Sequence, residues 1–286
     1  YYQAYRRMIL KSFSKINLSL NVNQKLKKSG LHEIQTYFCL INLFDKITIT
    51  KIKGTKDIIK FKGKFAKYIK KRNNSVSDTL NILRKQKVIS NYYLVIINKK
   101  IPVFAGLGGG TSNATSLIQY FYKGRINKSL LRNFNQTVGS DLQLFLYNQA
   151  FLKNLKTVIS IKKKFSLYFL LVYPNVLSST KYVYSKVKKY TFKSQFSSKS
   201  VTNKSKFIDF LKKKNNDLQS IVEKKYPIIK NLIAEIHIKK GCYFSRMTGS
   251  GSVCYGVFKS KKTAKDALVQ LKLKYPKFWF LVTKTI

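Results

Sequence analysis

The chain is poor in acid. Ten aspartates and glutamates stand against 57 lysines and arginines, a formal net charge of +47. So few carboxylates exclude an extended acidic binding face and let each one be weighed individually. Cysteine is scarce as well: Cys39, Cys242 and Cys254 are far apart and form no CxxC pair, which argues against a disulfide framework or structural zinc. The same scarcity fits a reducing, cytoplasmic setting. His32 and His237 are the only histidines, so a multi-histidine metal centre is excluded. No apolar run approaches the ~18 residues of a membrane span, and the short apolar runs at 92–97 and 167–173 read as buried strands. The start has no signal-peptide pattern, because Arg6 and Arg7 lead into an apolar stretch broken by Lys11 and Lys15. Met8 is a candidate initiator, with residues 1–7 an upstream extension.

What is abundant is lysine, and a charge of this size invites a nucleic-acid reading. Three features weigh against it. The basic residues are mostly lysine, they are scattered through every segment, and they accompany an excess of Ile, Asn, Phe and Tyr that AT-rich codons explain. Arginine, which suits bidentate base and phosphate contacts, is sparse. A solvated lysine surface is therefore expected, with no membrane and no specific nucleic-acid partner, although the field should attract anionic substrates. Hydrophobic residues make up 44% of the chain, enough to build real cores.

Alternation at Phe13, Ile16, Leu18 and Leu20 reads as a strand. A polar loop at 23–30 precedes two further strands at 34–43 and 46–52. Residues 75–85 have helical spacing, 92–98 read as a strand, 99–110 as a loop and 111–122 as a helix. Asn127-Lys128-Ser129 is expected to cap another helix over 130–138. Beyond a boundary placed near 158 come a strand at 168–173, a polar and mobile stretch at 193–206, and helices at 217–224 and 228–238. A βαβ-like unit closes the chain at 251–258, 261–275 and 278–283.

The strongest chemical signal is Gly106-Leu107-Gly108-Gly109-Gly110-Thr111-Ser112, which follows a strand and opens a helix. Clustered glycines let backbone approach a ligand closely, and the amides and positive end of a helix N-terminus favour phosphate. It is no Walker A loop, since no Lys-Ser/Thr pair follows the last glycine. A second turn, Thr248-Gly249-Ser250-Gly251, suggests two loops on one anionic ligand. Among the acids, Asp45, Asp57, Asp209 and Asp266 sit in lysine-flanked, loop-like or exposed-helix contexts. Asp141, in Gly139-Ser140-Asp141, is either a helix cap or a catalytic base. Lys15 and Asn17 share one face of the first strand, where Lys15 either protects an edge or aims an ammonium at an anion.

In this order, Ser14-Lys15-Ile16-Asn17-Leu18, the glycine loop through Asn113 and Ala114, Gly139-Ser140-Asp141 and Met247 to Gly251 resemble the motifs of the GHMP kinases. Gly30-Leu31-His32-Glu33-Ile34-Gln35-Thr36 and Asn216-Asp217-Leu218 further resemble the family that phosphorylates the 2-hydroxyl of 4-diphosphocytidyl-2-C-methyl-D-erythritol in non-mevalonate isoprenoid synthesis. The resemblance implies an α+β fold of two domains: an ATP-binding, ribosomal-protein-S5-like domain over 1–158 and a ferredoxin-like, substrate-binding domain over 159–286. It implies ATP with Mg²⁺, leaving the metal ligands open, and a small cytidine diphosphate substrate in a monomer or homodimer. By the same resemblance Asp141 is the catalytic acid/base and Lys15 its cationic partner. Gly106, Leu107, Gly108, Gly109, Gly110, Thr111 and Ser112 hold the ATP phosphates, with Asn74 and Lys99 near the base. His32 reads the cytosine edge and Tyr184 stacks on the ring. Asn17, Thr180, Thr248, Gly249, Ser250 and Gly251 contact the rest of the substrate. One departure stands out: the family usually has Tyr before the histidine, and here it is Leu31; either one stacking face worth ~1 kcal/mol is lost or Tyr184 compensates for it. The competing expectations are another GHMP kinase, of homoserine or mevalonate type, and a basic S5-like nucleic-acid-binding protein.

Overall fold

A computed structural model describes residues 7–27, 29–70, 73–126 and 128–286. In chain order its elements are β1 (Met8–Asn17), β2 (Asn21–Lys25), β3 (His32–Ile52), β4 (Ile58–Lys62), α1 (Ser75–Lys85), β5 (Tyr92–Asn98), α2 (Gly109–Phe121) and α3 (Lys128–Val138). There follow β6 (Gln149–Asn154), β7 (Thr157–Ser160), β8 (Tyr168–Tyr173), α4 (Thr180–Ser185), α5 (Lys204–Lys212), α6 (Gln219–Lys225), α7 (Pro227–His237), β9 (Cys242–Met247), β10 (Cys254–Phe258), α8 (Lys261–Lys274) and β11 (Trp279–Lys284). They divide into two compact units. The first takes Tyr1–Ser14, Leu43–Val103 and Gly108–Leu146, and the second Lys15–Asn42, Phe104–Leu107 and Tyr147–Ile286. Residue 158, where a boundary is expected from sequence, lies within β7.

In the first unit, the end of β3 pairs antiparallel with β5 and β4 pairs parallel with β5. Ile47 and Ile49 of β3 and Val95 and Ile97 of β5 are buried, and the helices cover that face with Leu80, Leu83, Leu117 and Phe134. Helix α1 begins where Asn74 accepts the N–H groups of Val76 and Ser77, a capping box closed by the Ser77 hydroxyl. Its buried Val76, Leu80 and Leu83 recur at the spacing that puts one face of a helix on a sheet.

In the second unit, the first part of β3 pairs with β2 and β6, and β6 with β7. A separate sheet has the order β11-β8-β10-β9. Strands β10 and β11 both run antiparallel to the β8 between them, with α8 crossing over. Strands β8 and β9 likewise flank β10, joined through α4 to α7. Two interlocked split βαβ units of this kind make a ferredoxin-like layer.

Several sequence expectations change. The two strands at 34–43 and 46–52 are one 21-residue strand. The junction Asn42-Leu43-Phe44-Asp45 looks polar at its ends, but it has no Gly or Pro to turn the chain. Part of the loop expected at 23–30 is β2, held because β3 offers it an edge and Val22 is buried. Stretch 193–206 contains a 3₁₀ turn at Lys199–Val201 and the start of α5, whose Phe207 is buried. Strand β9 and helix α4 lie where no element is expected. The expected cap Asn127 lies outside the described residues.

Candidate active site

The second unit gathers motifs that are far apart in sequence. Lys15 and Asn17 stand on one face of β1, both buried, and the Lys15 ammonium donates to Asn17 Oδ1 at 2.6 Å. Asn17 Nδ2 donates to the Thr36 hydroxyl at 2.9 Å, and the Asn17 N–H donates to Thr248 Oγ1 at 3.0 Å. The Lys15 N–H reaches the Leu107 carbonyl at 3.1 Å. Gly106 has φ +76°, and a Cβ there would lie 2.0 Å from the Thr248 carbonyl oxygen. Only glycine permits that approach. Asn216 holds the second glycine turn by donating from Nδ2 to the carbonyls of Met247 (2.9 Å) and Gly249 (2.8 Å). The Ser250 hydroxyl meets that of Thr180 at 2.8 Å. Lys15, Asn17, Gly106, Leu107, Thr180 and the Thr248 to Gly251 turn are thus parts of one network inside one unit.

His32 opens β3, half-buried, with its ring 5.1 Å from that of Tyr184 and tilted 34°. Burial, and then the charge of Lys25, its partner across the β2–β3 pair, hold its pKa below the ordinary imidazole value. The neutral ring that results has one donor and one acceptor nitrogen, which suits the edge of a nucleobase. Leu31 beside it is exposed.

In the first unit, Gly108 takes φ +68° at the N-cap of α2 and has no side chain to cap it. The Ser112 N–H makes the bond to the Gly108 carbonyl at 2.9 Å. The amides of Gly109, Gly110 and Thr111 precede that bond at the positive end of the helix, the arrangement that binds phosphate. The Ser112 hydroxyl is spoken for: it donates to the Phe13 carbonyl at 2.5 Å and meets Ser12 Oγ at 2.7 Å. Its side chain therefore ties α2 to β1. Thr111 is half-buried, and its hydroxyl lies 3.5 Å from where a Cβ on Gly139 would stand. Half-buried Asp141 follows, its carbonyl accepting from the Leu144 N–H at 3.0 Å as a 3₁₀ turn begins.

Two residues expected near a nucleotide base have internal tasks. The Asn74 side chain caps α1. Lys99 is 2% exposed, with its ammonium paired to the Asp45 carboxylate and donating to Asn113 Oδ1 at 3.0 Å. Desolvation lowers the Lys99 pKa, and Asp45 opposes the shift. Asp45 is consequently no loop or surface acid, as its lysine-rich neighbourhood suggests: it is fully buried, and its Oδ1 also accepts the N–H groups of Lys100 and Ile101. Asp57 does lie in a loop, between β3 and β4, and there forms a two-pronged bridge to Arg84 at 3.0 and 3.1 Å. Sequence reasoning passes over these partners because nothing local marks an acid as paired with a residue tens of positions away. Ser12 and Tyr190 are missed for the same reason.

The family model for the GHMP kinases C terminal matches residues 204–277. A solved structure of 4-(cytidine 5′-diphospho)-2C-methyl-D-erythritol kinase superposes with a TM-score of 0.73 at 21% identity, covering 98% of this chain and 100% of that one. The fold is thus that of the GHMP kinases, and residues 204–277 match the model of their C-terminal part. Among curated proteins, the 4-diphosphocytidyl-2-C-methyl-D-erythritol kinase of Pelagibacter ubique is 37% identical over 97% of this chain and 98% of its own length. The kinase of the same name from Wolbachia pipientis is 32% identical over 97% and 98%. The chain belongs to the 4-diphosphocytidyl-2-C-methyl-D-erythritol kinase family.

Proposed function

We propose that this chain transfers the γ-phosphoryl group of ATP to the 2-hydroxyl of 4-diphosphocytidyl-2-C-methyl-D-erythritol. The observation that carries the substrate is the His32–Tyr184 pair, an imidazole beside an aromatic ring in the same unit as the Lys15–Asn17–Thr248 network. Smaller alcohols such as homoserine or mevalonate have no ring for such a pair to hold.

In this reading the amides of Gly108 to Thr111 cradle the phosphates, where the helix end offsets their charge. Asp141 accepts or orients the hydroxyl proton of the substrate, and the Lys15 ammonium offsets charge as the phosphoryl moves. Asn74 and Lys99 serve the nucleotide indirectly, by capping α1 and by supporting the turn that leads into α2. Asn17, Thr180, Thr248 and the turn to Gly251 position the rest of the substrate. Mg²⁺ fits as a companion of ATP. Among the described residues no three His, Cys, Asp or Glu side chains group as a metal site, and Mg²⁺ at phosphates characteristically takes only one or two protein carboxylates. Asp141 and Thr111 are the residues that would hold it, and it would neutralise phosphate charge there.

The test is a side-by-side turnover assay with ATP on the cytidyl substrate, homoserine and mevalonate. Turnover confined to the cytidyl substrate is expected; turnover of either small alcohol alone overturns the reading. Asp141→Asn should lower kcat by at least ~100-fold, the order of a lost acid/base contribution, with ATP affinity retained.

A further inference from the structure

Tyr190 is an aromatic that none of the motifs accounts for. It is 44% exposed, and its ring lies 6.3 Å from that of His32 at a tilt of 32°. Tyr184 approaches the same imidazole at 5.1 Å and 34°. Exposure alone says little: Phe192, two residues on, is 94% exposed. What separates Tyr190 is its tilted approach to the His32 ring and the way the backbone beside it is held.

The segment around it has no regular secondary structure, yet it is pinned to β2 and β3. The Thr191 N–H donates to the Val22 carbonyl at 2.8 Å, and the Thr191 hydroxyl donates to Asp217 Oδ2 at 2.7 Å. Asn23 Nδ2 donates to the Thr191 carbonyl at 2.9 Å. Three residues further on, Ser194 exchanges two bonds with the Gln35 amide, at 2.8 and 2.9 Å. A backbone held in this way presets where the Tyr190 ring emerges, so binding costs little ordering of the chain there.

We propose that Tyr190 is a specificity-determining residue for the cytidyl substrate, presenting an aromatic face to the pyrimidine whose edge His32 reads. The inference rests on the reading of His32 and Tyr184 as a cytidine site. Leu31 is exposed beside His32 and has no π face to offer, whereas Tyr190 is placed to supply one. A base stacked on an aromatic is worth roughly tenfold in affinity.

The experiment compares wild type, Tyr190→Ala, Tyr190→Phe and Phe192→Ala in steady-state kinetics and in calorimetric binding of cytidine 5′-diphosphate. Tyr190→Ala should raise KM for the cytidyl substrate and the Kd for cytidine 5′-diphosphate about tenfold, with kcat and KM for ATP unchanged. Tyr190→Phe keeps the ring and should behave as wild type, as should Phe192→Ala. Wild-type turnover with KM unmoved in Tyr190→Ala overturns the inference alone. So does a joint fall in kcat and ATP affinity, which marks a merely structural role. A wild type that neither turns over the cytidyl substrate nor binds cytidine 5′-diphosphate overturns the reading of the site, and the inference with it.

Discussion

Asp45 and Lys99 are opposite charges buried together with almost no solvent, 0% and 2% exposed. Burying two ions is costly, and their attraction repays it only when every remaining polar atom is satisfied. Here that condition is met through a relay. Asn113 Nδ2 donates to Asp45 Oδ2 at 3.1 Å and to Ser12 Oγ at 2.9 Å, and Ser12 leads to Ser112. Removing one member leaves an uncompensated charge. Asp45→Asn should therefore destabilise the fold by ~3–5 kcal/mol, measured as a shift in urea midpoint. Adding Lys99→Met to it should recover much of that loss, because the stranded ammonium is gone. If the double variant is no more stable than the single one, the pair is not what holds this part of the first unit together.

Among elements, two glycines that share a left-handed φ, Gly106 in the glycine turn and Gly124 after α2, carry different constraints. Gly106 must be glycine for two reasons, a left-handed φ and a Cβ position 2.0 Å from the Thr248 carbonyl oxygen. Gly124 shares the φ, at +74°, but a Cβ there meets nothing within 4 Å. Alanine in the left-handed region costs ~1–2 kcal/mol. Gly124→Ala should show that loss alone and keep its activity. Gly106→Ala must also displace the second turn, so its kcat/KM should fall at least ~10-fold, the equivalent of ~1.4 kcal/mol. Thermal melts and kinetics on the two variants separate strain from site damage. This contrast also explains what sequence could and could not reveal. Glycine clusters, the Lys15–Asn17 spacing and the helical periods of α1, α2 and α7 are local patterns, and they led to elements that exist. The polar strand β2 and the unbroken β3 depend on partners that no window of sequence contains. The same holds for the Asp45–Lys99 pair and for Tyr190 beside His32. Ser112 illustrates the limit within a motif: its position in the loop was legible, but its hydroxyl turns inward to Phe13 and Ser12.

For the whole molecule, the dominant quantity is a net charge of +47. Its acids are too few to balance it, and part of that small supply is committed internally, Asp45 to Lys99 and Asp57 to Arg84. Most of the cationic surface is therefore uncompensated and acts on anything anionic that approaches, whether nucleotide, cytidine diphosphate ester or nucleic acid. Such a field accelerates encounter without touching the chemical step. Screening grows steeply with salt, since the Debye length falls from ~30 Å at 0.01 M to ~8 Å at 0.15 M. Over that range kcat/KM for the cytidyl substrate should fall by ~10-fold, near the low end of what electrostatic steering supplies, while kcat holds steady. Stopped-flow association of cytidine 5′-diphosphate should show the loss in the on-rate, not in dissociation. The same titration tests the competing view of the charge. Binding to an arbitrary duplex should disappear by physiological salt, as counterion release demands of contacts made only to phosphate. A duplex held tightly and sequence-selectively at 0.15 M salt, with kcat/KM for the small substrate indifferent to salt, would mean that the lysines serve a nucleic acid after all.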